Sequence, residues 1–395
     1  MSGILPAEVQ VLKGAAMNTI TALADAYLLV ENNQIAAFGP MAECPETGFE
    51  IIDVNGDHIM PGFVDSHTHM VFAGSRHNEF VMRLQGKTYE EIAAEGGGIL
   101  NSAKRLQAMD EYELYDKALQ YAHKAIESGT TALEIKSGYG LTTDAELKML
   151  RVIKRLKQTL PITVKATFLG AHAFPPEYKN NHQGYIDLLI NEMLPVIAAE
   201  GLADFIDVFC DRGFYSPEET AILLEAGQKL GLRAKIHGNE LGLTGGVQTA
   251  VAHNALSVDH LEHLSEVEIN CLLNSSTMPV ILPGSSFFLK IPYAPGRQMI
   301  DAGLPVAIAS DFNPGSSPHY NLWFTWSLAC LYNGLLPSEA FNSLTINAAS
   351  ALGIGHTHGS ITKGKQACLI QTRAFASVNE MPYWFSQNHA KRVFC

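Results

Sequence analysis

Residues 62–70 read GFVDSHTHM, an apolar run that finishes on two histidines, His67 and His69, with one residue between them. In an extended strand, residues two apart project to the same side, so both imidazoles can reach one metal ion. Two neighbouring histidines are weak evidence alone, since they also occur as polar filler. The rest of the chain strengthens the case, because its other apolar runs also finish on polar residues.

The middle of the chain alternates short apolar runs with amphipathic stretches, a pattern typical of βα units. Stretches at 111–128, 143–157 and 217–230 predict helices. Eight strands are predicted, ending near His69, Lys136, His172, Asp211, His237, His260, Pro283 and Asp311. Eight units favour an α/β fold of the (β/α)8 TIM-like barrel type over a doubly wound sheet, and no GxGxxG follows the first strand. Because the carboxyl ends of barrel strands share one mouth, we expect these polar groups to converge there.

Both ends of the chain contain short strand-like runs separated by turn signals. Four such runs are 27–31, 34–38, 50–54 and 364–372. We expect the two ends to meet in a small composite β-sandwich domain. This hypothesis divides the chain into an N-terminal part of the small domain (1–59), the barrel (60–355) and a C-terminal part of the small domain (356–395).

The composition favours a globular protein with a large core. The 395 residues are 47% apolar and 17% charged, with a formal net charge of −13. This charge argues against a nucleic-acid or anionic-membrane partner, because phosphate contacts need clustered Lys and Arg. No signal-peptide pattern and no membrane-length apolar run are visible in the sequence, so we expect a cytoplasmic protein.

The six cysteines are scattered and include no CxxC pair, so we expect reduced thiols. They are Cys44, Cys210, Cys271, Cys330, Cys368 and Cys395.

Two further residues complete a candidate metal site with His67 and His69. His237 follows Lys235-Ile at the predicted fifth strand end, and Asp311 follows Ala-Ser at the eighth. Three imidazoles and one carboxylate suit zinc, with iron or manganese as alternatives. Such a site lowers the pKa of bound water towards neutrality and so supplies hydroxide for hydrolysis.

Hydrolysis also needs a group that accepts the water proton and passes it to the leaving nitrogen. Asp311 can do this if one carboxylate oxygen holds the metal and the other faces the water. Glu240 lies three residues beyond His237 and is a second candidate, or a solvated loop carboxylate. His260 is a third candidate, or a further metal ligand. The sequence leaves this choice open.

The order of these residues resembles the amidohydrolase superfamily, and longer blocks resemble the imidazolonepropionase family within it. The resemblance covers the chain from about Pro61 to Ala351. The blocks are PGFVDSHTHMVFAGSRHNEF from Pro61, LQGKTYEEI from Leu84, GGGI from Gly96, EIKSGYGL from Glu134, FLGAHAFPPEY from Phe168, DVFCDRGFYS from Asp207, HGNELG from His237 and SDFNPGSSP from Ser310.

The resemblance implies hydrolysis of the cyclic amide C–N bond of 4-imidazolone-5-propanoate to N-formimino-L-glutamate, in histidine degradation. Metal-bound hydroxide is expected to attack the ring carbonyl. The implied metal ligands are His67, His69, His237 and Asp311. The residues implied around the substrate are Arg76, Tyr139, His172, Glu240, Asn313, Gly315 and Ser316. A homodimer with one zinc or iron ion per subunit is also implied.

The chemistry of the substrate agrees with these assignments. Its propionate tail is an anion, and Arg76 can clamp a carboxylate with a two-pronged hydrogen bond. The structural alternatives are a surface ion pair for Arg76, a rim aromatic for Tyr139 and a core histidine for His172. Superfamily members with two metals bridge them with a lysine, usually from strand four. Lys136 lies on the predicted second strand, so we expect one metal ion.

Two other functions are compatible with the same ligands. An aminohydrolase acting on a purine or pyrimidine base would share the whole metal site, but its neutral base gives Arg76 no anion to bind. An inactive barrel serving as a scaffold would not need His67, His69, His237 and Asp311 intact.

Overall fold

The computed structural model describes residues 1–45, 50–88, 91–92 and 95–395. Residues 89–90 of the LQGKTYEEI block lie outside these ranges. The strands are β1 (Ser2–Ile4), β2 (Thr21–Ala22), β3 (Ala26–Glu31), β4 (Gln34–Pro40), β5 (His58–Pro61), β6 (Phe63–Asp65), β7 (Thr130–Lys136), β8 (Thr163–Ala171), β9 (Phe205–Cys210), β10 (Arg233–Gly238), β11 (Ser257–His260), β12 (Met278–Ile281), β13 (Ala307–Ile308), β14 (Leu369–Thr372) and β15 (Ala390–Phe394).

Helices follow most barrel strands and cover the outside of the sheet. The α-helices span His77–Leu84, Ile99–Ala108, Glu111–Glu127, Thr143–Thr159, His182–Leu188, Leu194–Glu200, Pro217–Lys229, Gly246–Ala252, Glu266–Leu273, Pro283–Leu289, Gly296–Asp301, Leu322–Tyr332, Pro337–Leu344, Ile346–Ala351 and Glu380–Tyr383. Short 3-10 turns occur at Gly14–Asn18, Met41–Glu43 and Pro176–Tyr178, and a π-helical turn at Leu189–Met193. In the described part of the chain, no helix is long and apolar enough to cross a membrane.

The central sheet contains β6 to β13 in sequential order, and all its neighbours are parallel. Its two edges meet beyond the ends of β6 and β13. There, the His69 N–H donates to the Phe312 carbonyl (2.9 Å) and the Asp311 N–H donates to the His67 carbonyl (3.1 Å). Thr68 and Phe312 form a parallel bridge at this point. These contacts close the sheet, and the predicted (β/α)8 barrel is confirmed.

The predicted strand ends differ from the observed ones by two residues or more at three strands, and by at most one residue at the other five. β6 ends at Asp65 and β13 at Ile308, so the histidine pair and Asp311 lie beyond the regular ladder. The Asp65 carboxylate accepts hydrogen bonds from the Ser310 N–H (3.0 Å) and hydroxyl (2.6 Å), which replace ladder bonds here. Pro283 begins a helix instead of ending a strand, as expected for proline at a first helical position.

Both ends of the chain build small antiparallel sheets. β5 pairs with β14, and β14 pairs with β15. Bridges join Ile4 to Ile361 and Gln34 to Gln366, so the N- and C-terminal segments are adjacent as predicted. The predicted strand at 50–54 is wrong: a turn in which the Asn55 N–H donates to the Asp53 carboxylate (2.8 Å) precedes β5.

Cys368 and Cys395 form a disulfide, so the expectation of reduced thiols is wrong for this pair. The reason is register. β14 and β15 pair Leu369 with Phe394. Cys368, just before β14, and Cys395, just after β15, therefore lie opposite each other. The remaining four cysteines are free.

His358 provides a test of how the C-terminal segment packs on the barrel. Its Nε2 lies 3.1 Å from Thr163 Oγ1 on β8, and its Nδ1 lies 2.8 Å from Thr357 Oγ1. Burial lowers the pKa of His358 to about 4. Between pH 6.5 and 4 the unfolded chain therefore binds a proton that the folded chain does not, and stability falls as the pH falls.

We expect the native protein to lose about 2 kcal/mol more unfolding free energy between pH 7 and pH 5 than the His358→Gln variant, which has no titrating ring. Urea titrations at the two pH values measure this difference. Equal losses in the two proteins would contradict the buried, neutral state of His358.

Candidate metal and substrate site

Four side chains from three parts of the barrel mouth converge on one point. The Nε2 atoms of His67 and His69 lie 3.2 Å apart, and Nε2 of His237 lies 3.4 Å from that of His69. Ligand atoms of the three histidines all lie within 4.8 Å of one another. Asp311 Oδ1 lies 3.6 Å from Nε2 of both His67 and His69. Three nitrogens and one oxygen at this spacing fit a single metal ion.

Two buried carboxylates orient the histidine rings from behind. Asp259 Oδ2 lies 2.6 Å from Nδ1 of His67, and Asp207 Oδ2 lies 3.0 Å from Nδ1 of His237. The Asp259 contact is a hydrogen bond, and a carboxylate bonded at Nδ1 fixes the tautomer and leaves Nε2 free for a metal. Asp207 is held against His237 by a backbone bond as well, since its Oδ1 accepts from the His237 N–H (3.1 Å). Sequence reasoning missed both residues. The available signal was a charged residue inside an otherwise apolar strand.

The electrostatic surroundings keep two of the rings in the form that binds metal. Burial, and then the nearby Lys136, lowers the pKa of His67 well below its usual value. Burial, and then His172, does the same to the pKa of His69. Among the described residues, His69 Nδ1 is buried without a hydrogen-bond partner. Neutral imidazoles with Nε2 atoms pointing together fit the donor set of a zinc or iron site.

His260 lies beside these ligands, but its ring nitrogens face carboxylates. Its Nε2 lies 3.7 Å from Glu240 Oε2 and its Nδ1 lies 3.4 Å from Glu262 Oε1. Burial opposes charge on the ring, but Glu240 and Glu262 together raise the pKa of His260 above its usual value. Burial raises the pKa of Glu240 to about 7. Glu262 was missed, although it follows His260 by two residues.

The backbone at the end of β11, which carries His260, has two unusual conformations. His260 and Leu261 have φ values of +89° and +67°, in a region that non-glycine residues rarely adopt. Backbone strain of this kind concentrates at functional sites.

Tyr139 and His172 form one wall of the site. The Tyr139 ring is buried, 5.9 Å from the His69 ring and 5.5 Å from the His172 ring between centroids. His172 stacks on His69 at 5.3 Å, and its Nδ1 lies 3.1 Å from the Gly138 carbonyl. Burial lowers the pKa of His172 to about 3. Tyr139 is therefore not a rim aromatic, and His172 contacts the metal-site histidine directly.

Arg76 lies beside Tyr139, with its Cζ 6.0 Å from the ring centroid. The Nε donates to Ser102 Oγ (2.9 Å), and Glu79 Oε1 lies 3.9 Å away. Its side chain is 13% exposed. Arg76 is therefore a mostly buried residue and does not form a surface ion pair. Ser102, which the sequence did not single out, fixes the Nε and leaves the terminal nitrogens to other partners.

The loop after β13 is held by its own side chains. Asn313 Oδ1 accepts from the Gly315 and Ser316 N–H groups (both 2.8 Å), and its Nδ2 donates to the Asp311 carbonyl (2.7 Å). Ser316 Oγ donates to Asp311 Oδ2 (3.2 Å). Arg83 donates to the Gly315 carbonyl (2.9 Å). These contacts place the loop beside Arg76 and fix the second oxygen of Asp311.

A candidate metal site of three histidines and an aspartate at the mouth of a barrel is typical of metal-dependent hydrolases, and comparison with known proteins agrees that the chain is a hydrolase of this fold. The chain belongs to the amidohydrolase family, whose model matches residues 58–393.

Relatives within this family are more specific. A protein of Flavobacterium psychrophilum named imidazolonepropionase is 52% identical over 384 residues, which is 97% of this chain and 93% of the relative. One from Flavobacterium johnsoniae is 51% identical over 378 residues, covering 95% and 92%. One from Shewanella baltica is 43% identical over 380 residues, covering 94% and 92%.

Solved structures share the fold at low identity. A guanine deaminase from C. acetobutylicum has a TM-score of 0.72 at 18% identity, with 96% of each chain covered. A 5-methylcytosine deaminase from Klebsiella pneumoniae has a TM-score of 0.74 at 16% identity, with 94% of this chain and 93% of that chain covered. At these identities the likeness describes the fold alone.

The geometry predicts which histidines a metal needs. We expect His237→Ala to lose its bound metal, because one of four converging ligands is removed. We expect His260→Asn to keep about one ion per chain, because both ring nitrogens of His260 face carboxylates. Elemental analysis after gel filtration measures this stoichiometry. Metal loss in His260→Asn matching that in His237→Ala would instead make His260 a ligand.

Proposed function

We propose that this chain hydrolyses the ring C–N bond of 4-imidazolone-5-propanoate and releases N-formimino-L-glutamate, as a step of histidine degradation. The observation that carries the proposal is a mostly buried arginine, Arg76, next to Tyr139, whose ring in turn lies 5.9 Å from that of the proposed metal ligand His69. Such an arginine suits a small substrate with a carboxylate. The names of relatives about half identical to this chain support the same assignment.

The proposed cofactor is one zinc or iron ion per chain, held by His67, His69, His237 and Asp311. When bound there, the ion lowers the pKa of its water and supplies hydroxide near neutral pH. Elemental analysis of freshly purified protein identifies the native metal.

The proposed substrate pocket uses the residues around this centre. Arg76 binds the propionate, and Tyr139 and His172 line the ring. Asn313, Gly315 and Ser316 form the loop beside Arg76, where Asn313 and Ser316 act mainly by holding its shape.

Proton transfer from the attacking water to the leaving ring nitrogen is assigned to Asp311, Glu240 and His260. Asp311 Oδ2 already accepts a bond from Ser316, and Nδ1 of His260 faces Glu262, so Glu240, which contacts His260 at 3.7 Å, is the least engaged member of this set among the described residues. A pKa of Glu240 near 7 suits a group that gains and loses a proton at neutral pH.

We also propose that the protein is a cytoplasmic homodimer without a nucleic-acid or membrane partner. We further propose that residues 1–59 and 356–395 form a small domain beside a barrel of residues 60–355. The net charge of −13 supports the lack of a nucleic-acid partner. Exposed Phe80 and Leu84 supply an apolar surface for a second subunit. Light scattering of the purified protein gives the mass in solution.

The first experiment follows the loss of imidazolone ultraviolet absorbance with native, chelator-stripped and Arg76→Ala proteins. We expect turnover that needs metal, and a kcat/KM about 10- to 100-fold lower in Arg76→Ala, because a hydrogen bond to a charged group contributes about 1.5–3 kcal/mol. Arg105→Ala is the matched control, since this exposed arginine bonds only the Ser75 carbonyl among its described contacts.

Absence of turnover by metal-loaded native protein would refute the substrate and direct the search to amino-substituted purines and pyrimidines. Turnover that is equally fast in Arg76→Ala would refute the role of Arg76 alone.

Gly315 offers a second test of the arginine. A Cβ at position 315 would lie 2.5 Å from Arg76 Nη1, so the guanidinium must move. We expect Gly315→Ala to raise KM about 10-fold with little change in kcat, because misplacement by about 1 Å is costly in a preorganised site. Gly355→Ala, whose Cβ would meet only Ser350 and Gln10, is the control. Unchanged KM in Gly315→Ala would place the substrate carboxylate elsewhere.

A further inference from the structure

Five charged side chains fill the barrel interior beneath the metal ligands, and all are fully buried. Three are carboxylates and two are lysines, so their formal net charge is −1. They are Glu134, Lys136, Asp207, Lys235 and Asp259. Burying so many charges is expensive unless each is paired, and a barrel interior is usually filled by branched apolar residues.

Glu134 is the centre of this network. Its Oε1 accepts from Lys136 (2.7 Å) and from the hydroxyl of Thr167, and its Oε2 accepts from Lys235 (2.8 Å). Lys235 also donates to the Ser66 carbonyl (2.9 Å), one residue before His67. Glu134 therefore ties the two lysines together across the barrel interior.

The lysines in turn contact the carboxylates that orient the metal-site histidines. Lys136 donates to Asp207 Oδ2 (2.7 Å), the same oxygen that lies 3.0 Å from His237 Nδ1. Both lysines flank Asp259 Oδ2, at 3.9 and 3.7 Å, and that oxygen lies 2.6 Å from His67 Nδ1. Asp259 Oδ1 has no hydrogen-bond partner among the described residues, so these contacts locate the carboxylate.

We propose that Lys136 and Lys235, joined by Glu134, are positioning residues for the metal site: they hold Asp207 and Asp259 against the Nδ1 atoms of His237 and His67. This inference goes beyond the proposed function, because it concerns how the site is held and not which substrate it takes. The position of Lys136 on the second strand argues against a bridge between two metal ions, and in the structure its ammonium donates to two carboxylates, Glu134 and Asp207.

Charge alone predicts the opposite effect on zinc affinity, so an experiment can distinguish the two explanations. Removing a lysine makes the interior more negative, and Coulomb attraction then favours a bound cation. Loss of positioning frees the carboxylates and the histidines, and residues that orient metal ligands typically contribute 10- to 100-fold to metal affinity.

The experiment measures the zinc dissociation constant of the full chain by competition with a chromophoric chelator. We expect Lys136→Met to bind zinc at least about 10-fold more weakly than native protein. The double variant Glu134→Gln/Lys136→Met restores the net charge of −1 and, because Asp207 still lacks its partner, is expected to bind zinc as weakly. This variant also serves if Lys136→Met does not fold.

Lys365→Met is the matched control. Lys365 is a buried lysine that donates to the Gly355 and His358 carbonyls (2.6 and 3.1 Å), in the C-terminal part of the chain. Its loss is expected to reduce stability without changing zinc affinity. Unchanged or tighter zinc binding by folded Lys136→Met and by the double variant would overturn the proposal, as would an equal loss of affinity in Lys365→Met. No substrate is used, so failure of the proposed reaction leaves this result independent.

Discussion

The seam between β6 and β13 is the contact on which the site depends. The last regular residues of these two strands are followed by segments that pair through the His67 and Phe312 carbonyls, with Asp65 bonded to Ser310. His67 and His69 project from one side of this seam and Asp311 from the other. A shift of one strand against its neighbour would therefore separate the proposed ligands His67 and His69 from Asp311, so the contacts that close the barrel also bring these side chains together.

The cost of this arrangement is visible in Asp65. Burial raises the pKa of Asp65 to about 7, even though two bonds from Ser310 favour its charged form. Closing the barrel through a buried polar contact costs more free energy than closing it through an apolar one, because the polar groups lose their hydration. The polar contact also sets the register of the two strands, because a carboxylate that accepts from both the N–H and the hydroxyl of Ser310 fixes the offset between β6 and β13.

The sequence predicted the barrel because periodicity and strand-end polarity are local signals. Helices at 111–127, 143–159 and 217–229 were predicted to within two residues, and the residues proposed as metal ligands do converge. The residues behind the ligands were not predicted. Asp207 meets His237 across the neighbouring strands β9 and β10, whereas Asp259 on β11 reaches His67, beyond the end of β6, across the barrel interior. Both contacts depend on register and barrel closure, which a single sequence does not display.

Two further failures have the same origin. Residues 50–54 have a composition that suits a strand, but the observed strand β5 begins farther along the chain, at His58, where it pairs with β14. The pairing of Cys368 with Cys395 likewise depends on which residues face each other across two strands. Where a partner lies far along the chain, local propensity gives no information about it.

That disulfide also concerns the unfolded chain. It joins residues 27 positions apart and ties the last residue, Cys395, to the strand next to β5. In the loop-entropy description, a cross-link of this span removes conformational freedom from the unfolded ensemble equivalent to about 3–4 kcal/mol. Thiol reduction would return that freedom to the unfolded chain. The free energy of unfolding therefore depends on the redox state of the surroundings through a bond that lies outside the barrel mouth.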